Sequence, residues 1–347
     1  MTYFLKRAVL AAALGAALPL SAHAQAFRTQ RYDIGGEGFF DYLTVDTATN
    51  RVFVSRGTHI QVVDAATGKL VGDITNLPRT HGALIVNATG RGFTTNAGDS
   101  TSTMFDLQTL AVLRQVHTGA AGLDGFMYDD ATGRVLTIDH SRPNGTVVVM
   151  DARTGDVVTR LATSGDAPEA GVSDGRGRVF INLEDRNAID VIDDHTWKVV
   201  DTWNIAPCDS PTGIAMDRAT NRIFSGCGDT SVVVDASTGR VVARIPNGGG
   251  VDGIAFDPAD KLLYIPSGAA GNVTVVHEDG PDSYRVVATV PTMRGARTIA
   301  LNPKTHVAYV FTPEFEPPPA GAPAPAPGRG RAPRGPQLAA WLFAIHH

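Results

Sequence analysis

The sequence predicts an all-β fold, a seven-bladed β-propeller with four antiparallel strands per blade, from two repeated patterns and from the way the termini complete the last repeat. The first pattern is Val-Val-Asp64-Ala-Ala-Thr67-Gly68. It recurs as Met-Phe-Asp106-Leu-Gln-Thr109, Val-Met-Asp151-Ala-Arg-Thr154-Gly155, Val-Ile-Asp193-Asp-His-Thr196 and Val-Val-Asp235-Ala-Ser-Thr238-Gly239, with aspartates 42, 45, 42 and 42 residues apart. In each, an apolar run ends at Asp, the Asp-x-x-Thr segment turns the chain, and a second apolar run follows, as in Val241-Val242-Ala243-Arg244-Ile245. The carboxylate accepts turn amides and the glycine after Thr supplies a positive φ, so each copy is a hairpin and the five aspartates are turn-formers, not a shared catalytic set.

The second pattern precedes these hairpins and occurs seven times: Asp46…Arg51-Val-Phe-Val, Asn87…Arg91-Gly-Phe-Thr, Asp129…Arg134-Val-Leu-Thr, Asp174…Arg178-Val-Phe-Ile, Asp217…Arg222-Ile-Phe-Ser, Asp257…Lys261-Leu-Leu-Tyr and Asn302…His306-Val-Ala-Tyr. Each is a β run, a short turn and a second β run, giving strands A and B; the later hairpin gives strands C and D. Four strands in roughly 42 residues are a propeller blade, since leucine-rich and helical repeats are shorter or contain helices. The seventh unit has strand A near 297–301, strand B near 307–312 and strand C near 338–345. Residues near 27–34 supply its missing outer strand, so the last blade is closed by the N-terminal strand and exposed edges are confined to short outer strands.

In chain order, Lys6 and Arg7 precede an apolar run from Ala8 to Leu20, followed by Ala22-His23-Ala24. Residues 1–24 therefore read as a signal peptide with cleavage after Ala24, and the run of about 13 apolar residues is too short to span a bilayer, which takes roughly 20. Residues 25–347 then form one domain, periplasmic or secreted. The 37 glycines and 21 prolines suit its short strands and tight turns. Cleavage removes two cations and makes the formal charge of −5 more negative. The arginines are scattered, and the one basic cluster, Arg329, Arg331 and Arg334, lies in a Pro-rich stretch, so the chain lacks a nucleic-acid footprint. No later segment is apolar enough for a membrane anchor, and a monomer is expected.

Phe93-Thr-Thr-Asn96 and Pro211-Thr-Gly-Ile-Ala-Met-Asp217, with the Val-x-Asp-x-x-Thr hairpins, resemble the blades of the YVTN-repeat, or YncE-like, propeller family, over almost all of the mature chain. Arg56, Cys227, Ser267 and Thr312 depart from the asparagine usual in that family. The resemblance implies the fold strongly and an activity weakly, because this architecture carries many functions. Val71, Val158 and Val242 stand where the similar hairpins of pyrroloquinoline quinone propellers continue to tryptophan.

Two segments interrupt the repeat. Residues 313–336, with Pro317-Pro-Pro and Ala322-Pro-Ala-Pro-Ala-Pro, have too few backbone donors for a strand and read as an exposed loop inserted in the last blade, either disordered or a docking arm for an envelope partner. Cys208 and Cys227, the two cysteines, meet at one end of the fifth blade in the strand scheme and are expected to form a disulfide in an exported chain.

Catalytic signatures are lacking. Gly171-Val-Ser173-Asp-Gly175 satisfies G-x-S-x-G, but it runs along strand A into a tight turn instead of a strand-to-helix elbow. No zinc helix, phosphate loop or EF-hand loop occurs. What remains is geometric: strand A starts and strand B ends at the same end of a propeller. That places Asp41, His81, Asp124, Glu169, Thr212, Asp252 and Arg297 around one mouth of the channel, with Arg56, Asn96, Asp139, His140, Asn182 and Ser267 as a second tier. Crowded carboxylates of this kind suit a divalent metal, with Asp124, Glu169 and Asp252 as candidate ligands, a cationic ligand or a polar small molecule. The leading expectation is a binding or scaffold propeller, not an enzyme, that requires no cofactor and engages a small ligand or envelope protein. A metal-dependent hydrolase or lactonase using the mouth carboxylates is the alternative. A role in haem maturation, with His81 or His140 as axial ligand, is a further one.

Overall fold

The computed structural model describes residues 27–143, 145–317 and 335–347. The signal-peptide segment and most of the Pro-rich insertion lie outside them. Among the described residues, 28 strands form seven four-stranded antiparallel sheets. The N-terminal strand is β1 (Arg28–Asp33). Blade 1 is β2 (Leu43–Asp46), β3 (Arg51–Ser55), β4 (Ile60–Asp64) and β5 (Leu70–Ile74); blade 2 is β6 (Thr80–Val86), β7 (Arg91–Asn96), β8 (Thr101–Asp106) and β9 (Val112–His117). Blade 3 is β10 (Leu123–Asp129), β11 (Arg134–Asp139), β12 (Thr146–Asp151) and β13 (Val157–Ala162); blade 4 is β14 (Pro168–Ser173), β15 (Arg178–Leu183), β16 (Ala188–Asp193) and β17 (Lys198–Asn204). Blade 5 is β18 (Ile214–Asp217), β19 (Arg222–Ser225), β20 (Thr230–Asp235) and β21 (Val241–Pro246); blade 6 is β22 (Ala255–Asp257), β23 (Leu262–Ser267), β24 (Asn272–Gly280) and β25 (Ser283–Pro291). Blade 7 is β26 (Ile299–Asn302), β27 (Val307–Phe315) and β28 (Gln337–His346), with β1 as its outer strand in the order β1-β28-β27-β26.

The turns follow from the sequence. Asp64 Oδ1 accepts the amides of Ala66 and Thr67 and the Thr67 hydroxyl, at 3.1, 2.9 and 2.7 Å. Gly68, at φ 67°, donates its N–H to Asp64 O at 2.8 Å. The same carboxylate cage recurs at Asp106 and Asp193. There Leu110 and Trp197 take the left-handed position at φ 61° and 53°, a conformation that costs an L-residue roughly 1–2 kcal/mol and that the cage enforces.

The core explains why the ring closes. Seven apolar clusters fill the seven seams between neighbouring blades; one joins Leu43, Val52, Val54 and Val63 of blade 1 to Tyr309, Phe311 and Leu342 of blade 7. A sheet buried on both faces needs continuous apolar runs instead of alternation, as in Val147-Val-Val-Met150 of β12 and Val232-Val-Val234 of β20. The outer strands are mostly exposed. β1 pairs with β28 over six residues, from Arg28 opposite His346 to Asp33 opposite Trp341. β27 runs on through Pro313, Glu314 and Phe315, opposite Ala340, Ala339 and Gln337, so the first three residues of the Pro-rich stretch are ladder.

Among the described residues no helix is long and apolar enough to cross a membrane. Cys208, between β17 and β18, is disulfide-bonded to Cys227, just after β19, with 5.3 Å between Cα atoms. Both are buried. Replacing both by serine is expected to lower stability by about 3 kcal/mol, the chain-entropy value for a loop of roughly 20 residues. Urea midpoints of the oxidised wild type and C208S/C227S check this; equal midpoints would show that the bridge contributes nothing.

Candidate functional site

The first strands of the blades touch in an unbroken cycle: β2 meets β6, β6 meets β10, and so on through β14, β18 and β22 to β26, which returns to β2. The residue at the start of each first strand therefore stands at one mouth of the central channel. Glycine follows four of these residues. A Cβ on Gly125 would lie 1.9 Å from the Glu169 carbonyl oxygen, and one on Gly213 would lie 2.4 Å from the Gly253 Cα. Neighbouring backbones can come this close only without side chains. Bonds between blades hold the approach: Tyr42 N–H donates to His81 O at 3.0 Å, Thr298 Oγ1 to Asp41 O at 2.7 Å and Thr95 Oγ1 to Asp124 O at 2.7 Å.

Side chains from six blades then converge. Arg297 donates from Nη2 to Asp41 at 3.1 Å and from Nε, in a very short contact, to Asp252. His81 Nδ1 lies 2.8 Å from Asp41 Oδ2 and 3.1 Å from Asp124 Oδ1. Asp252, Arg297, Asp41, His81 and Asp124 thus form one chain of alternating charge through blades 6, 7, 1, 2 and 3. His140 makes a second: its Nδ1 is 2.5 Å from Glu169 Oε2 and its Nε2 3.3 Å from Glu184 Oε2. Arg142 lies 3.8 Å from Glu184.

Tyr42 crosses the axis. Its hydroxyl donates to Glu169 Oε1 at 2.7 Å, a bond between blades 1 and 4, and its ring meets Phe126 of blade 3 edge-on at 5.5 Å. The two rings thus pack against each other beside the charged ring.

Electrostatics follow from these contacts. Burial opposes charge on His81, but Asp124 and Asp41 outweigh it and raise its pKa to about 10. Glu169 and Glu184 raise His140 to about 10 as well. Burial, then the nearby Asp124, pushes Glu169 above the usual carboxylate range even though His140 pulls the other way. We take the His140–Glu169 pair to hold at least one proton between them at neutral pH. Burial and Asp41 push Asp252 up against the pull of Arg297. Five carboxyl groups face four cations, His81, His140, Arg142 and Arg297, so the mouth carries a net negative charge when all are ionised and is balanced when Glu169 is protonated.

The second tier separates. His140 joins the mouth, whereas Arg56, Asn96 and Asp139 are used locally. Arg56 is fully buried, donates to Gly35 O, Gly36 O and Gln61 Oε1 at 3.2, 2.6 and 3.2 Å, and lies over Phe311. Asn96 bonds Thr94, Thr101 and Thr103 within its own blade. Asp139 accepts the amides of Gly122 and Ser141. Asn182 donates to the Thr212 and Gly213 carbonyls, Ser267 accepts the Gly248 amide, and Thr212 donates to Val251 O. The physical reason is position: strand B is second from the axis, so side chains at its end meet loops and the next blade before they reach the channel. Glu184, Arg142 and Tyr42 were not in the sequence-derived set. Glu184 had a signal, since it follows β15 as His140 follows β11. Ser173 of the G-x-S-x-G string donates to Asp129 at 2.7 Å, at the far end of its strand.

Two groups at the mouth have metal-ligand spacing, Asp41–His81–Asp124 and Asp124–His140–Glu169, with donor atoms within 4.8 Å of one another. Asp124 belongs to both. Asp252, the third candidate ligand, is engaged by Arg297 and belongs to neither. His140 uses both ring nitrogens on carboxylates, which leaves neither for a haem iron as the side chains stand.

No protein-family model matches the chain, and no curated protein matches it. Among solved structures it is similar to Kuenenia stuttgartiensis hydrazine synthase, with 18% identity and a TM-score of 0.68 over 78% of this chain and 91% of that one. It is also similar to a chain of a mitotic checkpoint complex, with 17% identity and a TM-score of 0.71 over 88% of this chain and 96% of that one. At such identities the likeness is one of fold, and the fold is that of a seven-bladed β-propeller.

Proposed function

We propose that this chain is an exported binding propeller, YncE-like in its blade motifs, whose channel mouth takes a small cationic ligand, either a divalent metal ion or an amine. The observation that carries the reading is the excess of carboxyl groups over cations at the mouth. Asp124 supports it in particular: its Oδ1 is buried and makes no well-formed hydrogen bond, only the ionic contact with His81. A buried carboxylate oxygen with a single ionic contact keeps acceptor capacity free, and a bound cation uses it. Export is supported by the Lys6-to-Ala24 leader and by the disulfide.

Calorimetric titration of the mature protein with calcium chloride, manganese chloride and putrescine tests this. At least one probe is expected to bind the wild type, and Asp124→Asn to weaken it tenfold or more. Wild type that binds none of the three, or D124N that binds like wild type, would overturn the proposal. Turnover of a lactone probe that vanishes on chelation and returns with metal would move the reading to a metal-dependent hydrolase, with Glu169 as the proton-holding carboxyl.

A further inference from the structure

At the opposite end of the first strands, the turns after β22 and β26 and the residue after β28 bring Asp257, Asp260, His306 and His347 together. His306 Nδ1 lies 2.8 Å from Asp257 Oδ2 and 3.0 Å from Asp260 Oδ2, and His347 Nε2 lies 2.9 Å from the same Asp260 oxygen. One imidazole nitrogen thus faces two carboxylates, and one carboxylate oxygen faces two imidazoles. Protons serve this arrangement only in part, because His306 Nδ1 carries at most one proton for two acceptors.

The outward atoms of the cluster are already fixed. Asp257 is fully buried and its Oδ1 accepts the Ala259 amide at 3.0 Å. His347 Nδ1 faces the hydroxyl of buried Tyr264 at 3.3 Å. Support of this kind, a backbone amide on the far oxygen of Asp257 and a held imidazole beside Asp260, orients carboxylates toward a metal.

We propose that Asp257, Asp260 and His306 bind one zinc ion that clamps the turns of blades 6 and 7 together, with His347 at the end of the closing strand holding Asp260 from outside. One imidazole and two carboxylates, with a fourth position open to water, are donors that suit zinc; the three donor atoms lie within 4.8 Å of one another, and zinc bonds of about 2.0–2.2 Å hold ligand atoms roughly 3.0–3.5 Å apart. A recess of about 450 Å³, lined by Arg28, Thr29, Gln30, His346 and His347, adjoins the His347 side of the cluster. The site is independent of the mouth, with which it shares no residue.

The variants should fold. His306 sits at φ 58°, and the equivalent position before strand B holds Asn50 at 55° and Asn221 at 58°, so His306→Asn places a residue this turn already accepts. Metal-stripped full-length mature protein carrying Asp124→Asn, which weakens the mouth, is titrated with zinc chloride by calorimetry, and with cobalt chloride by visible absorption. It is expected to bind one equivalent of zinc and to give cobalt bands of a low-coordinate site. D124N/H306N and D124N/D260N are expected to lose that equivalent, or to bind at least 100-fold more weakly, with the bands gone and the circular dichroism unchanged. No zinc binding by the D124N protein, or the same stoichiometry and affinity in D124N and both double variants, would overturn the proposal.

Discussion

Replacing Arg297 by alanine is expected to destabilise the protein by about 3–5 kcal/mol at pH 8, the usual cost of removing one partner of a buried ion pair. Arg297 enters from blade 7 and neutralises Asp252 of blade 6 and Asp41 of blade 1. Its side chain is 18% exposed and lies over the Phe40 ring at 5.0 Å, so water replaces it only in part. Without it, two inward-facing carboxyl groups confront each other, and Asp252 is already pushed up by burial and by Asp41 while Arg297 is present. The sign with pH follows. A carboxyl whose folded pKa lies above its unfolded value destabilises the fold once pH exceeds the unfolded value, and the penalty grows until pH passes the folded one. The deficit of R297A should therefore shrink as pH falls from 8 to 5, and Asp252→Asn in the R297A background should recover part of it. Urea midpoints of wild type, R297A and R297A/D252N at the two pH values are the measurement. A loss below about 1 kcal/mol at pH 8 would place the pair among exposed ion pairs of little worth.

That ring of charge was partly legible in the sequence, and the parts that were not have a common cause. The turn residues Asp46, Asp129, Asp217 and Asp257 end β2, β10, β18 and β22, because turn chemistry is local and an aspartate caging its own amides acts the same way wherever it occurs. Once the blades are counted, the starts of the first strands are fixed to within a residue or two, so Asp41, His81, Asp124 and Arg297 could be placed at one mouth without coordinates. The direction of a side chain one strand further out could not. Arg56 and Asn96 stand at the ends of β3 and β7, where the choice between channel and blade interior depends on which carbonyls and hydroxyls lie nearby. Tyr42 is the clearest case: its bond to Glu169 spans 127 positions and three blades, and it exists only because the ring has a fixed diameter. The cluster around Asp260 was hidden for a similar reason, since His347 reaches it only when the C-terminal strand is seated in blade 7.

Seating that strand depends on β1, and deletion of residues 25–34 from the chain of residues 25–347 is expected to abolish the closed ring. β1 supplies the outer strand for β28, and the residues after it stitch blade 7 to blade 1. Ile34 N–H donates to Ala340 O at 2.9 Å, Asp33 Oδ1 accepts the Ala340 amide at 3.0 Å, Gln61 Nε2 donates to Ile34 O at 2.7 Å, and Tyr32 donates to Ala66 O at 2.7 Å. Ile34 itself belongs to the core of the seam between blades 7 and 1, a burial worth about 1.5–3 kcal/mol. Its loss also exposes the amides and carbonyls of β28, whose Leu-Ala-Ala-Trp-Leu-Phe-Ala-Ile run, residues 338–345, carries no charge. An uncharged apolar edge of this length is a template for pairing with other chains. The truncated protein should therefore elute as oligomers or precipitate, and lose its cooperative thermal transition. A synthetic peptide of residues 25–36 added during refolding should restore a monomer, because backbone pairing, the Asp33 and Tyr32 bonds and the Ile34 pocket need no covalent link to the rest of the chain. A truncated chain that stays monomeric and melts within a few degrees of the full mature protein would show that three strands close the seventh blade unaided.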